Sequence, residues 1–228
     1  QSPGNLKYFE NNSSSSNANI EVLNNWLLSD IKNKKCSISI DNTELKGRKI
    51  FVYAGNMGIA QGMDILIDLA ISLNHNTNIG FVFVGRGASM EALQNKVKKS
   101  NISNVLFYGE IDPDEIPLLY EQCSVGLISL DLRHKSHNIP GKFLSYMQSG
   151  LPILASVNPG NDLIDIVNTK NVGLISSDGN TKNLIKNANK IVSILDEGSD
   201  LSENCKEIFQ SSYNATKAGH QIINGLNG

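Results

Sequence analysis

The sequence predicts an α/β fold built on a doubly wound parallel sheet. Two observations favour this class. From residue 49 onward, short apolar runs rich in β-branched and aromatic residues alternate with helical patterns. The runs are nearly continuous rather than alternating, which is typical of strands covered on both faces. Repeated strand–helix–strand units imply a parallel sheet with right-handed crossover connections.

Six strands are expected, at residues 50–54, 79–84, 104–108, 124–130, 152–155 and 172–176. Apolar residues at helical spacing predict helices between them, for example along the stripe from Leu66 to Leu73. Asp112 followed by Pro113 is a helix-start signal. Gly150 is expected to end a helix that begins near Pro140.

Two segments lie outside the alternation of strands and helices, one near each end of the sequence. Residues 11–17, NNSSSSN, are polar and of low complexity, so a flexible loop is predicted there. A last helix, which follows no strand, is expected from Tyr213 to Leu226.

Composition excludes several classes of function. The net charge of −2 over 228 residues gives no bulk attraction to nucleic acid or anionic lipid. The three cysteines are odd in number and widely spaced, which argues against a disulfide framework or a zinc site. Cys123 is expected to be a buried, reduced thiol. No apolar run is long enough for a membrane span and no secretory signal is visible, so a cytoplasmic location is expected.

Ligands of doubly wound sheets bind at the carboxyl ends of the strands, so the loops there are the candidates. Loop 55–62, GNMGIAQG, could bring backbone amides close to phosphate, or it could be a tight turn without a ligand. Loop 85–89 has Met90 where a dinucleotide motif needs its third glycine, which disfavours a nicotinamide cofactor. Arg86 could contact phosphate or be a solvated surface residue.

Segment 131–142, DLRHKSHNIPGK, concentrates basic groups immediately before a helix. Cations together with a helix N-terminus favour a diphosphate site, and a mobile basic loop is the alternative. His134 and His137 are three residues apart, but the only nearby carboxylate is Asp131, so no metal site is expected. No nucleophile with a partner base is recognisable. The residues themselves therefore indicate an α/β domain that binds a phosphorylated ligand, and they do not name a reaction.

Four stretches, in order, resemble the carboxy-terminal domain of GT-B fold glycosyltransferases of retaining family 4, especially bacterial surface-polysaccharide members. They are FVYAGNMGIAQGMDILIDLA, FVFVGRGASMEAL, NVLFYGEIDPDEIPLLYEQCSVGLISL and PGKFLSYMQSGLPILAS. The resemblance covers about residues 20–228. It implies a Rossmann-like domain that forms one half of a GT-B fold.

The resemblance also implies roles for individual residues. The donor diphosphate would be held by Gly55, Gly58, Arg86, Arg133, Asn138, Gly141 and Lys142. Ribose or sugar contacts would fall to His137 and Ser145, and the nucleobase would lie near Gly109, Glu110 and Ile111. The resemblance identifies no catalytic residue.

This chain departs from the family pattern at the site. Ser145 stands where the family usually has a glutamate that bonds the ribose, and His137 stands where many members carry another glutamate. Asn56 and Gln61 replace an arginine and a lysine of the first glycine loop. Phosphate charge would therefore have to be met by Arg86, Arg133 or Lys142.

The resemblance further implies a domain organisation. Residues 1–19 would be the tail of an amino-terminal domain and 20–48 an interdomain segment. Residues 49–212 would be the donor domain, and 213–228 a helix that crosses back. Without the amino-terminal domain the chain is expected to be inactive.

The implied enzyme transfers a sugar, with retention, from a UDP- or GDP-type donor to a saccharide or lipid-linked acceptor in polysaccharide biosynthesis. No cofactor, metal or nucleic-acid partner is expected, and the full-length protein could lie peripherally at the inner membrane face. Two alternatives stay open. One is a non-catalytic nucleotide-binding or assembly subunit with a degenerate donor site, and the other is a nucleotide-sugar epimerase or hydrolase on the same fold.

Overall fold

The computed structural model describes residues 2–12, 20–28, 35–199 and 201–227. Its centre is a parallel sheet of six strands, and each predicted strand is present with ends that differ by at most one residue. The strands are β1 (Lys49–Ala54), β2 (Ile79–Val84), β3 (Val105–Tyr108), β4 (Val125–Ser129), β5 (Ile153–Ser156) and β6 (Gly173–Ser176).

The strand order β3-β2-β1-β4-β5-β6 defines where a ligand can enter. From β1 the chain moves outward to β2 and β3, and it then returns to place β4 on the other side of β1. The loops after β1 and β4 therefore leave in opposite directions and open a crevice at the carboxyl edge of the sheet. The prediction of a doubly wound parallel sheet is confirmed.

Helices cover both faces of the sheet. The α-helices of the described residues are α1 (Leu6–Asn12), α2 (Asp64–Ser72), α3 (Met90–Lys99), α4 (Ile116–Tyr120), α5 (Gly141–Gln148), α6 (Leu163–Lys170), α7 (Thr181–Asp196), α8 (Leu201–Ile208) and α9 (Ala215–Asn227). Because side chains alternate along a strand, β1 sends Phe51 and Tyr53 into the core beneath α2, α3 and α7. It sends Ile50 and Val52 into the core that includes residues of α5 and α8.

The predicted helix boundaries follow from local hydrogen bonds. The Asp112 carboxylate accepts a hydrogen bond from the Asp114 amide at 3.0 Å, as an N-cap residue does. The first turn, Pro113–Glu115, is a 3-10 turn, and α4 begins only at Ile116. Gly150 adopts a φ of +67° two residues beyond the end of α5, and this conformation ends the helix.

The structure corrects two expectations for the terminal segments. Asn11 and Asn12 are the last residues of α1, so the predicted loop at 11–17 is wrong for these two positions, and residues 13–17 lie outside the described ranges. Tyr213 ends a π-helical turn, and the last α-helix begins at Ala215. Cys123 is partly exposed as a residue, but burial raises the pKa of its thiol, as expected for a buried, reduced cysteine. Among the described residues, no helix is both long and apolar enough to cross a membrane.

Candidate functional site

A cleft of about 460 Å³ opens at the carboxyl ends of β1, β2 and β3. It is bounded by the loops that follow these strands, by α4 and by one side chain of α5. Its lining consists of Ala54, Gly55, Asn56, Val84, Gly85, Arg86, Glu110, Ile111, Pro113, Ile116, Tyr120 and Ser145. The cleft therefore lies where the topology of the sheet predicts a ligand site.

Two glycines let the loops after β1 and β2 meet backbone to backbone. Gly55 and Gly85 have φ values of +135° and +137°, which side chains of L-residues rarely allow. A Cβ atom on Gly85 would lie 2.1 Å from the carbonyl oxygen of Gly55. The two loops are also joined by a 2.7 Å hydrogen bond from the Met57 amide to the Arg86 carbonyl. This contact forms one wall of the cleft.

Lys142 is a cation held at the edge of this cleft. It is the second residue of α5 and is half-buried. Its Nζ donates to the Tyr53 hydroxyl at 3.2 Å and lies 4.3 Å from the centre of the Tyr53 ring. A Cβ on Gly55 would be 3.6 Å from the same nitrogen. The ammonium therefore faces the glycine loop at the N-terminal end of a helix.

Within the described residues, the charge of Lys142 has no carboxylate counterion. In the part of the chain that the structure describes, no aspartate or glutamate oxygen lies within 4.0 Å of its Nζ. Burial without such a partner lowers the pKa of Lys142 to about 8. A desolvated cation beside the free amides of a helix start is a favourable site for an anion.

Arg86 and Glu110 form an ion pair across the mouth of the cleft. The Arg86 Nε lies 2.9 Å from Glu110 Oε1, and both side chains are largely exposed. Exposed pairs of this kind contribute little to stability, about 0–1 kcal/mol. An anionic ligand can therefore compete with Glu110 for Arg86.

Ser145 and the apolar residues form the rest of the wall. The Ser145 hydroxyl donates to the Lys142 carbonyl at 2.9 Å within α5, and it leaves the cleft open where a longer side chain would extend into it. Ile111, Ile116 and Tyr120 provide an apolar surface opposite the charged groups. Such a surface is suited to a flat ring, because it offers van der Waals contact without desolvating charge.

Several predicted residues do not line this cleft. The Gly58 amide donates to Gln61 Oε1 at 3.0 Å at the start of a 3-10 turn, so a neighbouring side chain already satisfies it. Arg133 donates from two nitrogens to Asp131 at 2.9 and 2.6 Å and borders a separate shallow pocket. This pairing holds the pKa of the Asp131 carboxyl well below its usual range. Gly109 is exposed and has open space around it.

The loop before α5 holds the remaining predicted residues. His137 Nδ1 lies 2.7 Å from the Gly160 carbonyl and 3.7 Å from Asp162. Asn138 accepts a hydrogen bond from Asn5 at 2.9 Å. Neither residue lines the cleft. Gly141 is exposed at the first position of α5, and among the described residues no atom lies within 4 Å of where its Cβ would be.

Two buried asparagines after β5 fix the shape of this loop. The Asn158 and Asn161 side chains each donate to the Ser136 carbonyl at 3.0 Å. Asn161 also donates to the Asn138 carbonyl at 3.1 Å. From the amino-terminal side, the Ser2 hydroxyl accepts from the Ile139 amide at 3.1 Å. The start of α5 is therefore held in place from both sides.

The sequence patterns indicated neither Tyr53 nor Tyr120 as a residue of the site. Tyr53 lies inside an apolar strand and Tyr120 on an apolar helical stripe, so both patterns are typical of core residues. One sequence feature could have identified Tyr53. It is an aromatic residue with a hydroxyl group one residue before the end of β1, and ligands bind at this carboxyl end of the strands. Among the described residues, no cluster of three or more His, Cys, Asp or Glu side chains could hold a metal ion.

Comparison with known proteins assigns this chain to a family. Residues 48–195, more than half of the chain, match the family model described as glycosyl transferases group 1. The probable glycosyltransferase WbjE of Pseudomonas aeruginosa is 26% identical over 134 residues, which cover 59% of this chain and 33% of WbjE.

Solved structures show the same fold. S. aureus TarM, in a complex that contains UDP, matches 98% of this chain with a TM-score of 0.71 and 16% identity. HepE of Anabaena, in complex with UDP and glucose, matches 81% of this chain with a TM-score of 0.64 and 17% identity. The chain spans 42% of TarM and 49% of HepE, and so less than half of either protein.

Proposed function

This chain belongs to the glycosyl transferases of group 1, and we propose that it holds the nucleotide diphosphate sugar from which the enzyme transfers a glycosyl group. The observation that carries the proposal is the Lys142 ammonium, which lies at the start of α5 beside the cleft and has no carboxylate partner among the described residues. A half-buried cation without a carboxylate partner is costly to keep unless a ligand supplies the negative charge.

We propose one orientation for the donor in the cleft. Its diphosphate lies against Lys142 and the first amides of α5, next to the exposed Gly141. The base lies against Ile111, Ile116 and Tyr120, and the ribose passes between Ser145 and Glu110. A UDP- or GDP-type donor is proposed, and the UDP bound by TarM and HepE supports the first of these.

The chemistry that this site supports is stabilisation of a leaving diphosphate. As the bond between the sugar and the diphosphate breaks, negative charge accumulates on the phosphate oxygens, and Lys142 and the α5 amides are already positioned to receive it. We propose transfer with retention to a saccharide or lipid-linked acceptor in polysaccharide biosynthesis. The acceptor site would belong to a part of the protein outside this chain.

Donor binding can be tested by thermal denaturation with UDP, GDP, CDP, ATP, NAD and common UDP- and GDP-sugars. A ligand at 100 times its dissociation constant adds about 2.7 kcal/mol of stability. For a domain of this size that raises the melting temperature by about 5–10 °C. A rise with one nucleotide diphosphate family supports the proposal. A well-folded sample that responds to none of them contradicts it.

Nucleotide affinity is expected to fall as the pH rises from 7 to 9. The diphosphate binds the protonated form of Lys142, and the pKa of about 8 means that the free protein loses this proton within that range. Above the pKa, each further pH unit should weaken binding by up to about tenfold. Calorimetric titration of UDP between pH 6.5 and 9.5 measures the effect. If Lys142→Ala shows the same decline, then Lys142 is not its source.

The change Ser145→Glu separates a working site from a degenerate one. The pairing of Arg86 with Glu110 and the short Ser145 side chain favour the second candidate, a non-catalytic subunit with a decayed donor site. If the site works as it stands, a second carboxylate in the cleft near Glu110 should weaken UDP binding by about tenfold. Ser145→Ala is the matched control, with a smaller effect. A sharp gain in affinity for Ser145→Glu would instead indicate a degenerate site.

A further inference from the structure

The Tyr53 side chain connects two parts of the proposed diphosphate site. It is fully buried at the end of β1. Its hydroxyl donates to the Asn56 carbonyl at 2.6 Å and accepts from Lys142 Nζ at 3.2 Å. Its ring lies beneath the same ammonium, with the nitrogen 4.3 Å from the ring centre. One side chain thus contacts both the glycine loop and the cation.

We propose that Tyr53 is a positioning residue that aims the Lys142 ammonium at the bound diphosphate while leaving its charge uncompensated. The proposal rests on the donor-binding function proposed above. It assigns to Tyr53 the role that a carboxylate often has beside a half-buried lysine.

The chemistry of the two groups favours a neutral partner. A carboxylate would orient the ammonium, but it would also cancel the charge that a phosphate needs. A phenol oxygen and an aromatic face orient a cation by one hydrogen bond and one cation–π contact, and they add no negative charge. The ammonium has three N–H donors, and the one that Tyr53 accepts leaves two for a ligand.

The direction of the remaining donors is set by the surroundings. Gly55 lines the cleft and has no side chain, and a Cβ there would lie 3.6 Å from Lys142 Nζ, so no side chain of Gly55 stands between the ammonium and the glycine loop. The Tyr53 hydroxyl hydrogen is committed to the Asn56 carbonyl, which turns the oxygen lone pairs toward Lys142. The geometry therefore fixes the acceptor of one Lys142 donor and places the ammonium beside the glycine loop.

The side chains around the cleft explain why the orientation of Lys142 is important for binding a diphosphate in this chain. The side chains of Asn56 and Gln61 are neutral and bond to each other at 3.2 Å. Arg86 and Arg133 are each paired with a carboxylate. Among the described residues near the cleft, Lys142 is the cation whose charge is not already matched, so its orientation decides how well the diphosphate is held.

The variant Tyr53→Phe tests the proposal, because it keeps the ring and removes only the hydroxyl. The matched control is Tyr213→Phe, which removes the hydroxyl of another buried tyrosine that packs on Phe143. Two quantities are measured in the 228-residue chain: the titration of Lys142 by NMR of its ¹³C-labelled side chain, and the UDP and GDP affinities by calorimetry.

In Tyr53→Phe we expect the pKa of Lys142 to fall below its wild-type value, since the hydrogen bond that favours the charged form is lost. UDP affinity at pH 7.5 should fall about tenfold, the usual effect of losing a hydrogen bond to a charged group, and its decline with pH should begin earlier. Tyr213→Phe should change neither quantity.

The two proposals fail in different ways. If Tyr53→Phe leaves the Lys142 titration and the UDP affinity unchanged, Tyr53 is only a core residue and the positioning role is wrong. If the wild-type chain binds neither UDP nor GDP, the donor proposal fails, and an unchanged Lys142 titration in Tyr53→Phe would overturn the positioning role as well. A shifted titration would uphold the orienting contact between Tyr53 and Lys142.

Discussion

Replacing Lys142 with alanine is expected to weaken UDP or GDP binding by about 1–3 kcal/mol, which is a loss of roughly five- to 150-fold. The charge-assisted hydrogen bonds to the diphosphate are lost, and no other unmatched cation of the described cleft can replace them. The free energy of unfolding should not fall by a comparable amount, because the variant also removes a half-buried charge that has no carboxylate partner among the described residues. Calorimetric titration and urea denaturation of the same samples measure the two effects.

The matched control is Lys135→Ala, which removes an exposed lysine from the loop before the same helix. Its nucleotide affinity should stay close to that of the unaltered chain. If Lys142→Ala binds UDP and GDP as well as the control does, Lys142 has no role in the site. Weaker binding together with general unfolding would point to structure rather than to a phosphate contact.

The change Gly85→Ala is expected to destabilise the fold by about 3–5 kcal/mol. Two effects add. The φ of +137° strains any L-residue by about 1–3 kcal/mol, and the new Cβ would lie 2.1 Å from the Gly55 carbonyl oxygen. Relief requires the loops after β1 and β2 to separate, which costs a further amount of similar size. Because these loops form a wall of the cleft, nucleotide binding should be lost as well.

Gly109→Ala is the appropriate control for this change. Gly109 follows the neighbouring strand β3, and a Cβ there would meet no atom within 4 Å. Its unfolding midpoint in urea should therefore move little. Equal midpoints for the two alanine variants would show that the close approach of the loops at Gly85 is not needed for the fold.

The sheet could be predicted from the sequence because strands and helices leave local patterns. The run Ile79–Val84 is apolar at every position and buried at every position, which only a central strand covered on both faces requires. Gly150 and Asp112 marked helix boundaries for the same local reason. The resemblance to GT-B carboxy-terminal domains is confirmed by the family match over residues 48–195.

The site could be predicted only in part, because its composition depends on which side chains meet. Gly55, Arg86, Glu110, Ile111 and Ser145 do converge on the cleft, as the order of the loops along the sheet implies. The sequence could not show that Arg86 would pair with Glu110, since they lie on different loops.

The sequence also could not show which charged side chains pair within one loop. Arg133 and Asp131 are two residues apart, and their pairing depends on the turn that the loop adopts. The sequence pattern indicates a core position for Tyr53, because it lies inside an apolar, buried strand. Only the packing of α5 beside the end of β1 in the folded chain shows that the Tyr53 hydroxyl reaches Lys142. Tertiary contacts of this kind leave no periodic signal.

The most direct test of donor binding in this cleft is a crystal structure of the chain with the nucleotide diphosphate that stabilises it most. We predict that the diphosphate lies within hydrogen-bonding distance of Lys142 Nζ and the first amides of α5, with the base against Ile111 and Tyr120. A nucleotide bound elsewhere on the protein, or bound in the cleft with its phosphates turned away from Lys142, would contradict it.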